Sequence, residues 1–160
     1  MAARTENQNM LGAALAMSAT LPATYDASGY GATGVVFTAV GKVEDFGEHG
    51  IERGMSTFTP VDTGIVEKFN GSKNFGAMAV MLGNVPVNAG QVIAKAASEA
   101  TAHYSVKVTY PLGPGEATGE IHYLDVIVTR YKFQDGATDA VRKAGMTLEI
   151  CRAPVIVAAT

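Results

Sequence analysis

Asp62-Thr63-Gly64 spells the active-site tripeptide of aspartic proteases. A homodimeric protease of that class needs one copy per chain, because two carboxylates share a proton across the dimer axis. Here Ile65 stands where such enzymes carry a small residue, and Pro60 lies where a pairing strand is needed. The tripeptide therefore predicts an Asp-Thr turn, with a D-T-G homodimeric aspartic protease kept as an alternative.

The glycine pattern G-x-G-x-x-G occurs once, at Gly29, Gly31 and Gly34. In dinucleotide-binding folds such glycines follow a strand and open a helix, whose N-terminus receives the pyrophosphate. This sequence shows a strand pattern after the glycines and none before them. We interpret the segment as a flexible glycine hinge and expect no cofactor.

Cys151 is the only cysteine. Three histidines accompany it in the chain: His49, His103 and His122. Their sequence settings carry no nucleophile signature. The segment Glu48–Glu52 lacks the H-E-x-x-H spacing that binds zinc. We therefore expect no catalytic residues and no metal site, and hence a protein that is not an enzyme.

The composition favours a protein that contacts other proteins. Its 160 residues predict one domain, and only 17% of them are charged, against about a quarter in average soluble proteins. The net charge of -3 argues against a protein that grips phosphates, since nucleic-acid binders concentrate Lys and Arg. No apolar run reaches the roughly 18 residues of a membrane span, and residues 10–23 lack the basic flank of a signal peptide. We therefore expect a soluble protein without a membrane partner.

Hydrophobic periodicity predicts a mainly β chain with one helix. The expected strands are Val35–Phe46, Ile51–Phe58, Asn74–Leu82, Tyr104–Tyr110, Glu120–Phe133 and Met146–Cys151. The helix is expected to begin after Asn88 as N-cap, with Gln91 returning a hydrogen bond in a capping box. Its expected inner face consists of Val92, Ile93, Ala96, Ala97 and Ala100. Residues 1–34 are predicted to form an extended Ala/Gly-rich arm, and residues 35–160 the β domain.

Between two expected strands lies Thr59–Ser72, which is too long for the two to five residues of an ordinary hairpin loop. Long loops of this kind are commonly functional, so the segment predicts a contact element. Ile65, Val66 and Phe69 offer apolar anchors, and the charges of neighbouring side chains can set the register against a partner.

From Val40 to about Val157 the sequence resembles the tail tube proteins of lambda-like long-tailed bacteriophages, the major tail protein family. An ordered series of segments carries the resemblance: VGKVEDF, IERGMSTFTPVDTGIVEKFNGSKNFGAMAVML, the alanine-rich helix, SVKVTYP and IHYLDVIVTRYKFQDGATDAVRKAGMTLEI. It implies a β-sandwich or barrel-like tail tube fold with one flanking helix and a long inter-ring loop. It also implies a structural virion protein without enzymatic activity or cofactor.

The resemblance further implies that six copies close into a ring and that rings stack into the tube that conducts DNA during ejection. The implied partners are further copies of the chain, a tape measure protein, and tail terminator and distal tail proteins. The implied location is the phage tail of the virion, after assembly in the host cytoplasm. A tail terminator role stays open, because terminators share this fold.

By the same resemblance, Thr59–Ser72 is the loop that contacts the adjacent ring. The residues expected to make this contact are Pro60, Asp62, Ile65, Val66, Glu67, Lys68 and Phe69. The candidates for the tube interior, at strand ends, are Glu52, Arg53 and Glu120. A monomeric β-sandwich that acts as an adhesin or carbohydrate-binding module has the same strand pattern and stays an alternative.

Overall fold

The structure, a computed structural model, describes residues 9–160. Its strands are β1 (Ala14–Ser18), β2 (Thr38–Val40), β3 (Val43–Asp45), β4 (Glu52–Phe58), β5 (Glu67–Asn74), β6 (Ala77–Gly83), β7 (Tyr104–Thr109), β8 (Ile121–Gln134), β9 (Lys143–Ile150) and β10 (Val155–Val157). Its helices are α1 (Ala27–Tyr30) and α2 (Ala89–Glu99). The prediction of a mainly β fold with one flanking helix is confirmed, and α1 adds a single turn. Residues 1–8 of the predicted arm lie outside the described residues.

Eight strands form one antiparallel sheet in the order β2-β1-β7-β8-β9-β6-β3, with β10 paired to β8. β2 and β3 stand at opposite ends of this path, although only Gly41 and Lys42 separate them in the chain. The sheet therefore curls until its two ends meet at this corner. Curling of this kind gives a barrel-like form and leaves little unpaired sheet edge.

The corner corrects the prediction of one continuous strand over Val35–Phe46. Lys42 has a φ of 61°, which strand geometry does not permit. The Gly41 N–H donates to Asn88 Oδ1 at 3.3 Å, and its carbonyl accepts from Gln91 Nε2 at 2.9 Å. A Cβ on Gly41 would lie 2.8 Å from Asn88 Nδ2, so any larger residue here would displace the Asn88 side chain. The start of α2 thus fixes the break in the strand.

β1 lies inside the main sheet, between β2 and β7. Leu15 and Met17 alternate toward the interior and are fully buried. These five residues therefore belong to the β domain, and the predicted arm boundary after residue 34 does not separate arm from domain. Alternation within A-L-A-M-S carried this signal, but small side chains flank it and hide it.

The interior is filled by apolar side chains from the curled sheet and from α2. Its buried members are Leu15, Met17, Val40, Met78, Val80, Leu82, Ala94, Ala97, Val106, Val108, Leu124, Val126, Val128, Ala144, Met146, Leu148 and Ile150. The opposite face of β7 and β8 is covered by residues 19–37. There Tyr30 stacks on Tyr123 with ring centroids 5.0 Å apart, and the buried Ser105 hydroxyl donates to the Thr20 carbonyl at 2.9 Å. This cover explains why the centre of β8 is apolar on both faces.

Helix α2 begins where predicted, because the Asn88 side chain accepts from the Gln91 N–H at 3.0 Å. The predicted capping box is wrong in its second half. The buried Gln91 amide accepts from the Val85 N–H and donates to the carbonyls of Gly41 and Gly83, so it ties three segments together. The buried helix face consists of Gly90, Gln91, Ala94 and Ala97, whereas Val92 and Ala96 are exposed.

Candidate assembly surface

β4 and β5 form a two-stranded sheet of their own, separate from the main sheet. The prediction of one loop over Thr59–Ser72 is therefore wrong in its second half, since β5 begins at Glu67 and the connection spans only 59–66. Every residue of both strands is exposed. Because neither face is buried, β5 lacks the apolar alternation by which strands are found in a sequence. We call residues 52–74 the hairpin.

The strand register assigns the hairpin side chains to two faces. Phe58 pairs with Glu67 and Ser56 pairs with Phe69, so these four residues share one face. The neighbouring pairs, Thr57 with Lys68 and Met55 with Asn70, lie on the opposite face. Both faces thus combine apolar and charged groups, which is typical of a contact surface rather than of a solvated loop.

A β-bulge shifts the register between Arg53 and Met55, where Gly71 and Ser72 of β5 lie opposite Gly54 alone of β4. A Cβ on Gly71 would lie 2.9 Å from the Gly54 carbonyl oxygen. Asn70 and Gly71 are therefore strand residues, at a point where the two backbones approach closely. Bulges increase the local twist, so this pair of glycines sets the direction of the outer half of the hairpin.

At the tip of the hairpin, Asp62-Thr63-Gly64 forms a turn, as predicted. The Asp62 carboxylate accepts from the Thr63 N–H at 2.9 Å, the Gly64 N–H donates to the Pro60 carbonyl at 2.9 Å, and Gly64 has a φ of 65°. The Asp62 side chain is exposed at the tip. A protease carboxylate instead lies beside a second carboxylate in a sheltered dyad, so this setting favours the turn.

Six large apolar side chains of the hairpin are more than half exposed. They are Met55, Phe58, Val61, Ile65, Val66 and Phe69. Ile65, Val66 and Phe69 are the three apolar anchors that the sequence predicted. Met55, Phe58 and Val61 were not predicted as anchors. Large apolar side chains that are exposed together in one segment mark an interaction site.

The root of the hairpin is held to the main sheet by two histidines. His49 Nε2 lies 2.8 Å from His122 Nδ1, and His122 Nε2 lies 2.6 Å from Glu120 Oε1. A carboxylate only accepts, so His122 donates to Glu120 through Nε2. Burial, and then the neighbouring His122, lower the pKa of His49. No sequence pattern indicated this contact.

The predicted lumen residues lie around the same root. Glu52 pairs with Asn74 and Arg53 with Lys73 at the first positions of the hairpin, and all are exposed. Glu120 is linked to this region through His122 and His49. Burial, and then Glu120, raise the pKa of Tyr110, whose ring packs 4.8 Å from the His122 ring. The placement of Glu52, Arg53 and Glu120 in a tube interior stays a prediction.

The other polar groups singled out in the sequence have structural partners. Buried Asp125 accepts from Arg152 Nε at 2.9 Å and lies 2.8 Å from His103 Nδ1. Burial, and then Asp125, raise the pKa of the Cys151 thiol. A raised thiol pKa disfavours the nucleophilic thiolate. Within residues 9–160, no group of three His, Cys, Asp or Glu side chains is arranged to hold a metal ion.

The glycine motif closes a helical turn instead of opening a helix. Gly29 lies in α1, which Asp26 caps by accepting from the Gly29 N–H at 2.6 Å, and Gly31 ends it. Contrary to expectation, a strand does precede the motif, namely β1. No helix follows the glycines before β2, so the arrangement that binds a pyrophosphate is absent from this described segment. In residues 9–160, no helix has the length and apolar content needed to cross a membrane.

A cavity of about 300 Å³ lies between the first turns of α2 and the C-terminal half of β8. Its lining residues are Asn84, Pro86, Gln91, Val92, Lys95, Tyr131, Phe133 and Arg142. The cavity is thus walled by apolar and aromatic side chains, with two cationic side chains beside them. Sequence patterns did not indicate this cavity, because α2 and β8 are distant in the chain.

The fold is similar to that of solved structures of other proteins. A chain in the cryo-electron microscopy structure of the anti-feeding prophage baseplate, six-fold symmetrised, aligns with a TM-score of 0.67 at 9% identity, over 99% of this chain and 98% of that chain. The two chains share a fold. A crystal structure of an Hcp protein aligns with a TM-score of 0.44 at 10% identity, over 86% of this chain and 87% of that chain. No protein-family model and no curated protein matches the sequence.

Proposed function

We propose that this chain is a structural subunit of a phage tail or a related tail-like particle, which assembles with itself into stacked six-membered rings. The tail tube resemblance between Val40 and about Val157 supports a tube. The fold shared with a baseplate chain over nearly the whole length of both chains supports a tail component. That neighbour belongs to an assembly described as six-fold symmetrised, which agrees with a ring of six.

The single observation that carries this proposal is the hairpin. An isolated two-stranded sheet is marginally stable in water, yet here both faces of β4 and β5 are exposed over their full lengths. Large apolar side chains lie along it and at its tip. Such a projection is stabilised when it packs on another molecule. We infer that the packing partner is a second copy of the chain, in the same ring or in the adjacent one.

A contact of this type is heterologous, because the hairpin of one copy packs on a different surface of the next. Heterologous contacts generate closed rings when the rotation closes and open stacks when it does not. Both outcomes occur in a stacked tube. The predicted contact residues Pro60, Asp62, Ile65 and Val66 lie in the connection, and Glu67, Lys68 and Phe69 on β5.

The proposed tube conducts DNA without holding it. Six chains of net charge -3 carry -18 together, and a ring with such a charge repels a polyanion on average. As part of this proposal, we assign Glu52, Arg53 and Glu120 to the lumen. We also propose that the tape measure, tail terminator and distal tail proteins are further partners in the virion. Tight, salt-sensitive binding of DNA by the purified protein would count against the conduit.

Deletion of the hairpin tests the proposal. Replacement of residues 52–74 by a short Gly-Ser linker is expected to leave the main sheet folded, because no hairpin strand contributes to that sheet. Circular dichroism should stay sheet-rich, while sedimentation velocity should lose the stacked assemblies. A matched control replaces the exposed residues 136–140 in the same way and should still assemble. Assembly of the hairpin deletion at wild-type concentrations would refute the proposal.

A further inference from the structure

The cavity beside α2 has a preformed floor. Gln91 is buried and makes three hydrogen bonds that fix its amide, and the Asn84 N–H donates to the Arg142 carbonyl at 2.9 Å. The cavity volume of about 300 Å³ lies at the lower end of the range for ligand pockets. A site of this size accommodates one large side chain from a partner better than a whole cofactor.

Apolar groups surround this floor, together with a cation that has no salt bridge within residues 9–160. Val92 and Phe133 are exposed at the cavity wall. Val87 and Val141 are exposed too, and each is the chain neighbour of a lining residue, Pro86 or Arg142. The Lys95 ammonium lies 5.8 Å from the centroid of the Phe133 ring. Arg142 is already paired with Asp135 at 2.9 Å, but Lys95 has no salt bridge to any residue in the described range 9–160. The cavity therefore fits an aromatic group that has a carboxylate beside it.

One face of the hairpin has this chemistry. Phe58 and Glu67 lie directly opposite each other, and Phe69 is two residues from Glu67 on the same face. Both phenylalanine rings are exposed. Glu67 has no salt-bridge partner among residues 9–160. This face and the cavity thus carry complementary charges, each without a salt bridge in the described part of the chain and each beside exposed aromatic surface.

We infer that the cavity receives the Phe58–Glu67–Phe69 face of the hairpin of a second copy, with Glu67 at Lys95 and a phenylalanine ring against Phe133 and Val92. All strand residues of the hairpin are exposed in the subunit, so its own hairpin does not fill its own cavity. The opposite face carries Lys68 and would bring like charges together at Lys95. This inference rests on the proposed self-assembly and names the receiving surface.

Charge reversal tests the pairing. Glu67→Lys alone and Lys95→Glu alone should each raise the concentration needed for half-assembly about tenfold or more, since close interfacial charge pairs show large couplings. The double variant should return to within about threefold of wild type, because the pair is restored with opposite sign. Lys73→Glu and Lys132→Glu are matched controls on the hairpin and on β8, because both lysines are exposed, and each should assemble like wild type.

Cross-linking provides an independent readout in a Cys151→Ser background. Glu67→Cys together with Lys95→Cys should form covalent ladders on mild oxidation, whereas Lys68→Cys with Lys95→Cys should stay uncrosslinked. If wild type fails to assemble at all, the proposed function is wrong. If wild type assembles but the double charge reversal is not rescued and no ladder forms, the cavity pairing is wrong and self-assembly stands.

Discussion

Truncation of the exposed phenylalanines should separate assembly from folding. Phe58 is 59% exposed and Phe69 is 52% exposed in the subunit. Aromatic side chains bury roughly 150–250 Å² when fully covered, so covering the exposed half of one ring removes about 100 Å² from water. At about 25 cal/mol per Å² this contributes about 2.5 kcal/mol to one contact. Phe58→Ser or Phe69→Ser should then raise the half-assembly concentration about 60-fold, because 1.4 kcal/mol is tenfold.

The assay is sedimentation velocity over a concentration series, with urea unfolding of the same variants below the assembly concentration. The free energy of unfolding should change by less than about 0.5 kcal/mol, as for other surface substitutions. Val36→Ser is the matched control, because Val36 is 69% exposed and lies outside the hairpin. Unchanged assembly in both phenylalanine variants would refute the reasoning, and so would an equal loss in the Val36 control.

The remaining predictions concern the hairpin root, its backbone and the residues that resemble catalytic groups. The pKa of His49 is lowered below 6.5, so its contribution to stability is complete above pH 6.5 and is lost as pH falls toward the lowered pKa. Urea midpoints should therefore drop more between about pH 7.5 and 5 for wild type than for His49→Gln. Equal drops would contradict the assignment. Gly71→Val should speed limited proteolysis of residues 52–74 severalfold, since its side chain meets the Gly54 carbonyl, whereas Gly50→Ala, with open space at its Cβ, should not. Asp62→Asn and Cys151→Ser should both assemble nearly as wild type, and loss of a measurable hydrolytic activity in either variant would contradict a structural role.

The sequence predicted most strands of the curled sheet because their apolar residues alternate or cluster. β7 and β8 were found almost to the residue, and the Asn88 cap located the start of α2. The break at Gly41-Lys42 was missed because it depends on contacts with α2, 47 residues further along the chain. Local periodicity contains no information on such a contact.

The candidate site was predicted in part for a similar reason. Segment length and apolar side chains indicated a contact element at Thr59–Ser72, but β5 has no buried face and hence no strand pattern. The cavity at Lys95 depends on packing between α2 and β8, and the His49–His122 contact joins residues 73 positions apart. Both features arise from tertiary structure alone, so no pattern in the sequence could reveal them.

Electron microscopy of the purified wild-type protein tests the central claim most directly. Negatively stained particles should show rings with six-fold symmetry in end views and stacks of these rings in side views, at concentrations where sedimentation detects assemblies. Class averages would give the symmetry without any assumption about residues. Particles that stay single subunits at every concentration would contradict self-assembly and favour the monomeric binding module.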